Sequence, residues 1–131
     1  MKKILVVDDE RYIVELIEEE LKDAGYEVIS ASNGIEAIDR AKQEKPALII
    51  LDIMMPTLGE EWSNWINQEG WKVYTTLQED TTTKDIPVII LTIRGCEADR
   101  EMAKKHNLTF ITKPFSMKEL IKEVKKKLGD L

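Results

Sequence analysis

The chain has 131 residues, and a domain of that size buries about two-thirds of its unfolded surface, so it needs neither disulfides nor a structural metal. Its single cysteine, Cys96, excludes an intramolecular disulfide and a multi-thiol zinc site, as expected of a reducing compartment. A net charge of −6, from 25 acidic and 19 basic residues, argues against non-specific nucleic-acid binding by this domain.

Taken in chain order, short β-branched runs alternate with segments of helical spacing, the pattern of consecutive βα units. A first strand is expected over Lys3–Val7. The aliphatic run after Met1-Lys2-Lys3 is too short for a secretory signal, and no apolar stretch reaches membrane-spanning length, so a cytoplasmic protein without membrane contact is expected. The first helix is expected over Glu10–Ala24, with Ile13, Leu16, Ile17, Leu21 and Ala24 on its apolar face and Gly25 as its stop.

A second strand over Glu27–Ala31 precedes a helix over Gly34–Glu44 that buries Ile35, Ile38 and Ala41 before Pro46 blocks it. Strands follow over Ala47–Leu51, Pro87–Leu91 and Thr109–Thr112, each with a helical pattern behind it. The last helix, Ser116–Leu128, buries Leu120, Ile121, Val124 and Leu128. Ser116 is its expected N-cap, with Glu119 completing a capping box. Its lysines, among them Lys125-Lys126-Lys127, read as a solvated face that complements the helix dipole.

Strands that are continuously apolar belong in a parallel sheet covered on both faces. The whole chain, 1–131, reads as one such α/β domain of three layers. In an open parallel sheet the carboxyl ends of the strands converge on one edge, where these folds place their sites. Here that edge would collect Asp8-Asp9, Asp52, Thr92 and Lys113-Pro114. Taken singly each has a plain explanation: a helix cap for Asp8-Asp9, a β-favouring residue for Thr92, a loop lysine for Lys113. Asp52 is harder to dismiss, because a carboxylate after four aliphatic residues is costly near other anions without a cation. Carboxylate oxygens with room for water and phosphate suit Mg²⁺. The Lys113–Pro114 bond is a candidate cis peptide, which would turn the lysine over the site.

Together and in this order, these residues resemble the receiver domain of two-component response regulators. Val6-Val7-Asp8-Asp9-Glu10, Leu51-Asp52-Ile53-Met54-Met55-Pro56, Asp85-Ile86-Pro87-Val88-Ile89-Ile90-Leu91-Thr92 and Thr112-Lys113-Pro114-Phe115 carry the resemblance, which spans Lys3 to Leu128. It implies a flavodoxin-like (βα)5 doubly wound sheet of order 2-1-3-4-5. It also implies a phosphorylation-controlled switch rather than an enzyme, with only Mg²⁺-dependent self-phosphorylation and slow autodephosphorylation. Asp52 would accept the phosphoryl group from a sensor histidine kinase or histidine phosphotransfer protein. Asp8, Asp9, Asp52 and the backbone carbonyl of Met54 would hold Mg²⁺, and Lys113 and Thr92 would contact phosphoryl oxygens. Thr92 and Phe110 would form the switch that alters the helix 4–strand 5–helix 5 face toward an unidentified protein target, in a monomer or a phosphorylation-dependent dimer. Without the resemblance Phe110 would be a plain core residue.

Two features leave the family pattern. Residues 57–69 replace a turn of about three residues and carry Trp62, Trp65 and Ile66 at helical spacing. They read as a small core of their own, a lid over the acyl phosphate, or a docking surface. Ile93 is bulkier than the small residue usual after the threonine. Lone His106 reads as an exposed helix-end residue.

Other functions on this architecture fit less well. A phosphate-independent interaction module would be expected to lack one of Asp8, Asp9, Asp52, Thr92 or Lys113. An aspartyl-phosphate hydrolase usually needs Asp-x-Asp, where this chain has Asp52-Ile53-Met54. Flavin binding would want a Ser/Thr/Gly-rich loop after the first strand.

Overall fold

The computed structural model describes residues 2–53, 69–92 and 97–130. Strands and helices alternate along them: β1 (Lys3–Val7), α1 (Arg11–Asp23), β2 (Glu27–Ala31), α2 (Gly34–Glu44), β3 (Leu48–Leu51), α3 (Glu69–Glu79), β4 (Val88–Thr92), α4 (Glu97–Lys105), β5 (Thr109–Thr112) and α5 (Met117–Leu128). Every strand pairing is parallel, and the sheet order is β2-β1-β3-β4-β5, as expected. Met54, Ile93, Cys96 and the Trp62/Trp65 segment lie outside the described residues. Of residues 57–69 only Glu69 is described, as the first residue of α3.

Alternation within each strand builds two cores. Leu5, Val7, Ile49, Leu51, Val88 and Ile90 face one side of the sheet, against α2, α3 and α4. Their neighbours Ile4, Val6, Leu48, Ile50, Ile89 and Leu91 face the other, against α1 and α5. A strand buried on both faces has no polar position to spare, which is why these runs are continuously aliphatic.

Two apolar positions depart from expectation. Leu16 is 51% exposed and Ile35 is 74% exposed. At 3.6 residues per turn, Leu16 lies about a third of a turn from the stripe of Val14, Ile17 and Leu21 that α1 buries, and Ile35 lies similarly far from the Gly34, Ala37 and Ala41 stripe of α2. Ile38, Ile121 and Leu128 are partly buried against the cores.

Helix ends follow local chemistry. Asn33 caps α2 by accepting from the Glu36 amide at 2.9 Å. Ser116 accepts from the Glu119 amide at 3.3 Å, the forward half of the expected capping box. Gly25, at φ +96°, turns the chain out of α1 in a conformation that a Cβ disfavours.

Candidate functional site

Backbone hydrogen bonds carry the sheet ladder one residue past the strands and so position the acidic side chains. The Asp8 amide donates to the Ala31 carbonyl at 3.1 Å, and the Asp52 amide donates to the Val7 carbonyl at 2.9 Å. Both carboxylates end up almost sealed, at 2% exposure for Asp8 and 3% for Asp52, while Asp9 beside them is exposed. Asp8 Oδ1 also accepts from the Glu10 amide at 2.9 Å, which fixes the turn into α1. The cap position of α1 is Glu10, which makes no side-chain cap bond, so capping alone does not account for the acidic pair.

Lys113 answers this charge. Its peptide bond to Pro114 is cis. Its ammonium donates to Asp8 Oδ2 at 2.7 Å, to Asp52 Oδ2 at 3.2 Å and to Glu10 Oε1 at 3.2 Å. Only 6% of the lysine side chain is exposed. Burial pulls its pKa down, but the hydrogen bond to Asp8 and the charges of Asp52 and Asp8 outweigh it and hold it well above the usual lysine range. Asp9 is pushed up by partial burial and then by the neighbouring charge of Asp8.

Carboxylate oxygens of Asp8, Asp9, Glu10 and Asp52 all lie within 4.8 Å of one another. An oxygen-only cluster of this density, with a single ammonium among several carboxylates, fits a small hard cation. Glu10 was not among the expected site residues. It closes the site at the rim, and the unbroken acidic run Asp8-Asp9-Glu10 was the signal for it. Tyr12, exposed one residue beyond Arg11, is raised in pKa chiefly by its hydrogen bond to Glu10.

Thr92 ends β4 rather than following it, and is fully buried. Its carbonyl accepts from the Lys113 amide at 2.8 Å, which ties the hydroxyl-bearing strand end to the lysine. Phe110 stands apart from the carboxylates, part-buried against the α2–α4 core with the Arg100 guanidinium 5.3 Å from its ring centroid. The structure therefore brings Asp8, Asp9, Asp52, Lys113 and Thr92 to one edge and puts Phe110 under α4. Met54, expected to offer a carbonyl, is outside the described residues.

A parallel 2-1-3-4-5 sheet with this strand-end set defines a class, and comparison with known proteins agrees. The chain belongs to the response regulator receiver domain family, whose pattern matches residues 4–125. It is 39% identical over 125 residues to the alkaline phosphatase synthesis transcriptional regulatory protein PhoP of Bacillus subtilis, a match covering 95% of this chain and 47% of that protein. It is 41% identical over 120 residues to the probable transcriptional regulator ycf27 of Porphyra purpurea, covering 91% of this chain and 44% of that one. The chain thus spans under half the length of these relatives. Among solved structures, chemotaxis protein CheY4 of Vibrio cholerae superposes with a TM-score of 0.82 at 29% identity, covering 98% of this chain and 99% of that one. A CheY-like receiver domain protein of Methanospirillum hungatei superposes at 0.84 with 23% identity, covering 99% and 95%, a likeness of fold. Membership places the chain in two-component signalling. No helix among the described residues is long and apolar enough to cross a membrane.

Proposed function

We propose that the chain is a phosphorylation-controlled switch in which Asp52 accepts a phosphoryl group from a histidine kinase or phosphotransfer protein. The observation that carries this reading is the Lys113 ammonium held between Asp8 and Asp52, which puts a cation beside a nearly buried carboxylate at the sheet edge. In the transfer, an oxygen of Asp52 forms a bond to phosphorus as the phosphorus–nitrogen bond of the phosphohistidine breaks, and the imidazole leaves with the electron pair. Lys113 then pairs with a phosphoryl oxygen, and the Thr92 hydroxyl meets another.

Asp8, Asp9 and Asp52 would hold Mg²⁺, with Glu10 at the rim and Met54 offering its carbonyl. Mg²⁺ would neutralise charge on the phosphoryl oxygens. The chain's own part is to keep water away from Asp52 through the buried strand ends and to hold Lys113 in place. Nothing at the position two residues after Asp52 supplies an acid for rapid hydrolysis, which favours a lasting phosphorylated state over turnover. Besides transfer from the phosphohistidine, Asp52 would take a phosphoryl group from small donors and lose it slowly.

The switch would pass from the phosphoryl group through Thr92 to Phe110 and the face of α4, β5 and α5, where an unidentified protein target binds. A docking place for the phosphodonor is supported by a groove of about 390 Å³ beside Lys113, lined by exposed Tyr12 and Leu16 with Phe115 and Met117. The names of the relatives point to transcriptional regulation as the downstream process. The acidic charge of this segment argues against its touching nucleic acid itself.

Intact-mass measurement after incubation with Mg²⁺ and acetyl phosphate tests the reading. One phosphoryl adduct that decays slowly and is missing from Asp52→Asn is expected. No adduct on the wild type would leave an interaction module, and rapid multiple turnover of phosphomonoesters would indicate a hydrolase.

A further inference from the structure

On the side of the sheet that holds Phe110, α4 is fastened to α3 at both ends. Near the start of α4, Asp99 is 3% exposed, and its Oδ1 accepts a hydrogen bond from Trp71 Nε1 on α3 at 2.8 Å. Just past its end, the His106 ring meets Tyr74 of α3 edge-on, with centroids 5.3 Å apart. Trp71 and Tyr74 brace one another edge-to-face at 6.0 Å, so the two attachments share one rigid aromatic support. Arg100, the residue after Asp99, lies over the Phe110 ring.

A buried carboxylate is a poor choice for simple helix packing, because its desolvation is costly and an apolar side chain of similar size would serve as well. Its distinguishing property is direction. Apolar contacts tolerate a slide of an ångström, whereas a 2.8 Å hydrogen bond to a charged acceptor stretches out of range over the same distance. The bond therefore marks one position of α4 and resists leaving it. In that position Arg100 also covers Phe110, so displacing α4 uncovers the ring and breaks the Trp71–Asp99 bond together.

We propose that Trp71 and Asp99 form a clasp that holds α4 in its unphosphorylated position and so sets how readily Asp52 takes up and retains a phosphoryl group. Both are positioning residues, acting on Asp52 through α4. This rests on the reading of Asp52 as the phosphoacceptor. The clasp stabilises the resting arrangement alone, so weakening it enlarges the population able to bind, and apparent affinity rises with that population.

Beryllium fluoride, a phosphoryl mimic, titrated at saturating Mg²⁺ and followed by fluorine NMR, tests the clasp in wild type, Trp71→Phe and Asp99→Asn, with urea unfolding in parallel. Trp71→Phe keeps the ring and loses the donor; it should tighten the apparent Kd about tenfold, equivalent to about 1.4 kcal/mol. Asp99→Asn keeps an acceptor without the charge and should tighten it less. Both should lower resistance to urea. Lower resistance with a Kd unchanged within twofold, or weaker binding, would show a purely structural contact and overturn the proposal. If Trp71→Phe does not fold, Asp99→Asn carries the same two outcomes. Wild type that takes up no beryllium fluoride dependent on Asp52 would refute the phosphoacceptor reading, and the clasp would fall with it.

Discussion

Replacing Lys113 by methionine removes the ammonium and keeps most of the side-chain volume. Three contacts are lost, to Asp8 at 2.7 Å and to Asp52 and Glu10 at 3.2 Å. The carboxylates of Asp8 and Asp52, 2% and 3% exposed, cannot turn to water to make good the lost ammonium. Breaking a buried pair in this way costs about 3–5 kcal/mol, a large share of the roughly 5–15 kcal/mol that holds a domain folded. At about 4 °C per kcal/mol for a domain of this length, the melting temperature should fall by roughly 12–20 °C in EDTA. Adding Mg²⁺ should narrow the gap by at least about 1 kcal/mol, because a cation bound only by the folded state stabilises it by mass action, and the variant site is the more negative one. Urea unfolding followed by circular dichroism, with EDTA and then with Mg²⁺, measures both effects. A variant within about 1 kcal/mol of wild type in EDTA, or a gap indifferent to Mg²⁺, would refute the electrostatic account of the site.

Two leucines of α1 should behave oppositely: Leu21→Ala, at a fully buried position, should cost about 2–5 kcal/mol, and Leu16→Ala, half exposed, no more than about 0.5 kcal/mol by the same urea assay. Tyr26, pushed up to about 12 by burial and then by its hydrogen bond to Asp130, keeps its proton in the folded chain after the unfolded chain has lost it at about 10. Stability should therefore fall between those values, by about 1–2 kcal/mol once solvent screening at the hydroxyl is allowed for, and Tyr26→Phe should remove that fall in pH-dependent unfolding. Asp9 must lose its proton to hold a cation, and its pKa lies above the ordinary aspartate range. Calorimetry should show Mg²⁺ affinity dropping as the pH is lowered through the acid range, and Asp9→Asn should weaken binding at neutral pH.

The order of elements and the residues at the strand ends were legible because they rest on local rules. Continuous β-branched runs have few uses other than a doubly covered strand. Asp8, Asp52 and Lys113 stood out because each ends such a run, where the fold leaves a side chain no choice of direction. Glu10 was passed over because sequence alone makes it the first residue of a helix, and only its approach to Lys113 turns it inward. Leu16 and Ile35 were misplaced for a related reason. Each is apolar within an apolar stripe's neighbourhood, and a third of a turn of rotation against the sheet decides which side is buried.

The sequence by itself determined the strands, their burial on both faces and the chemical inventory of the site, because periodicity, strand ends and residue type act within a few residues of one another; the order of the strands came from the family resemblance. Only the tertiary structure decided which carboxylates share the Lys113 ammonium, and that Trp71 reaches Asp99 across α3 and α4. Those pairings join residues 103, 105, 61 and 28 positions apart. Distances over such separations follow from how helices lie on a twisted sheet, and no local pattern encodes them.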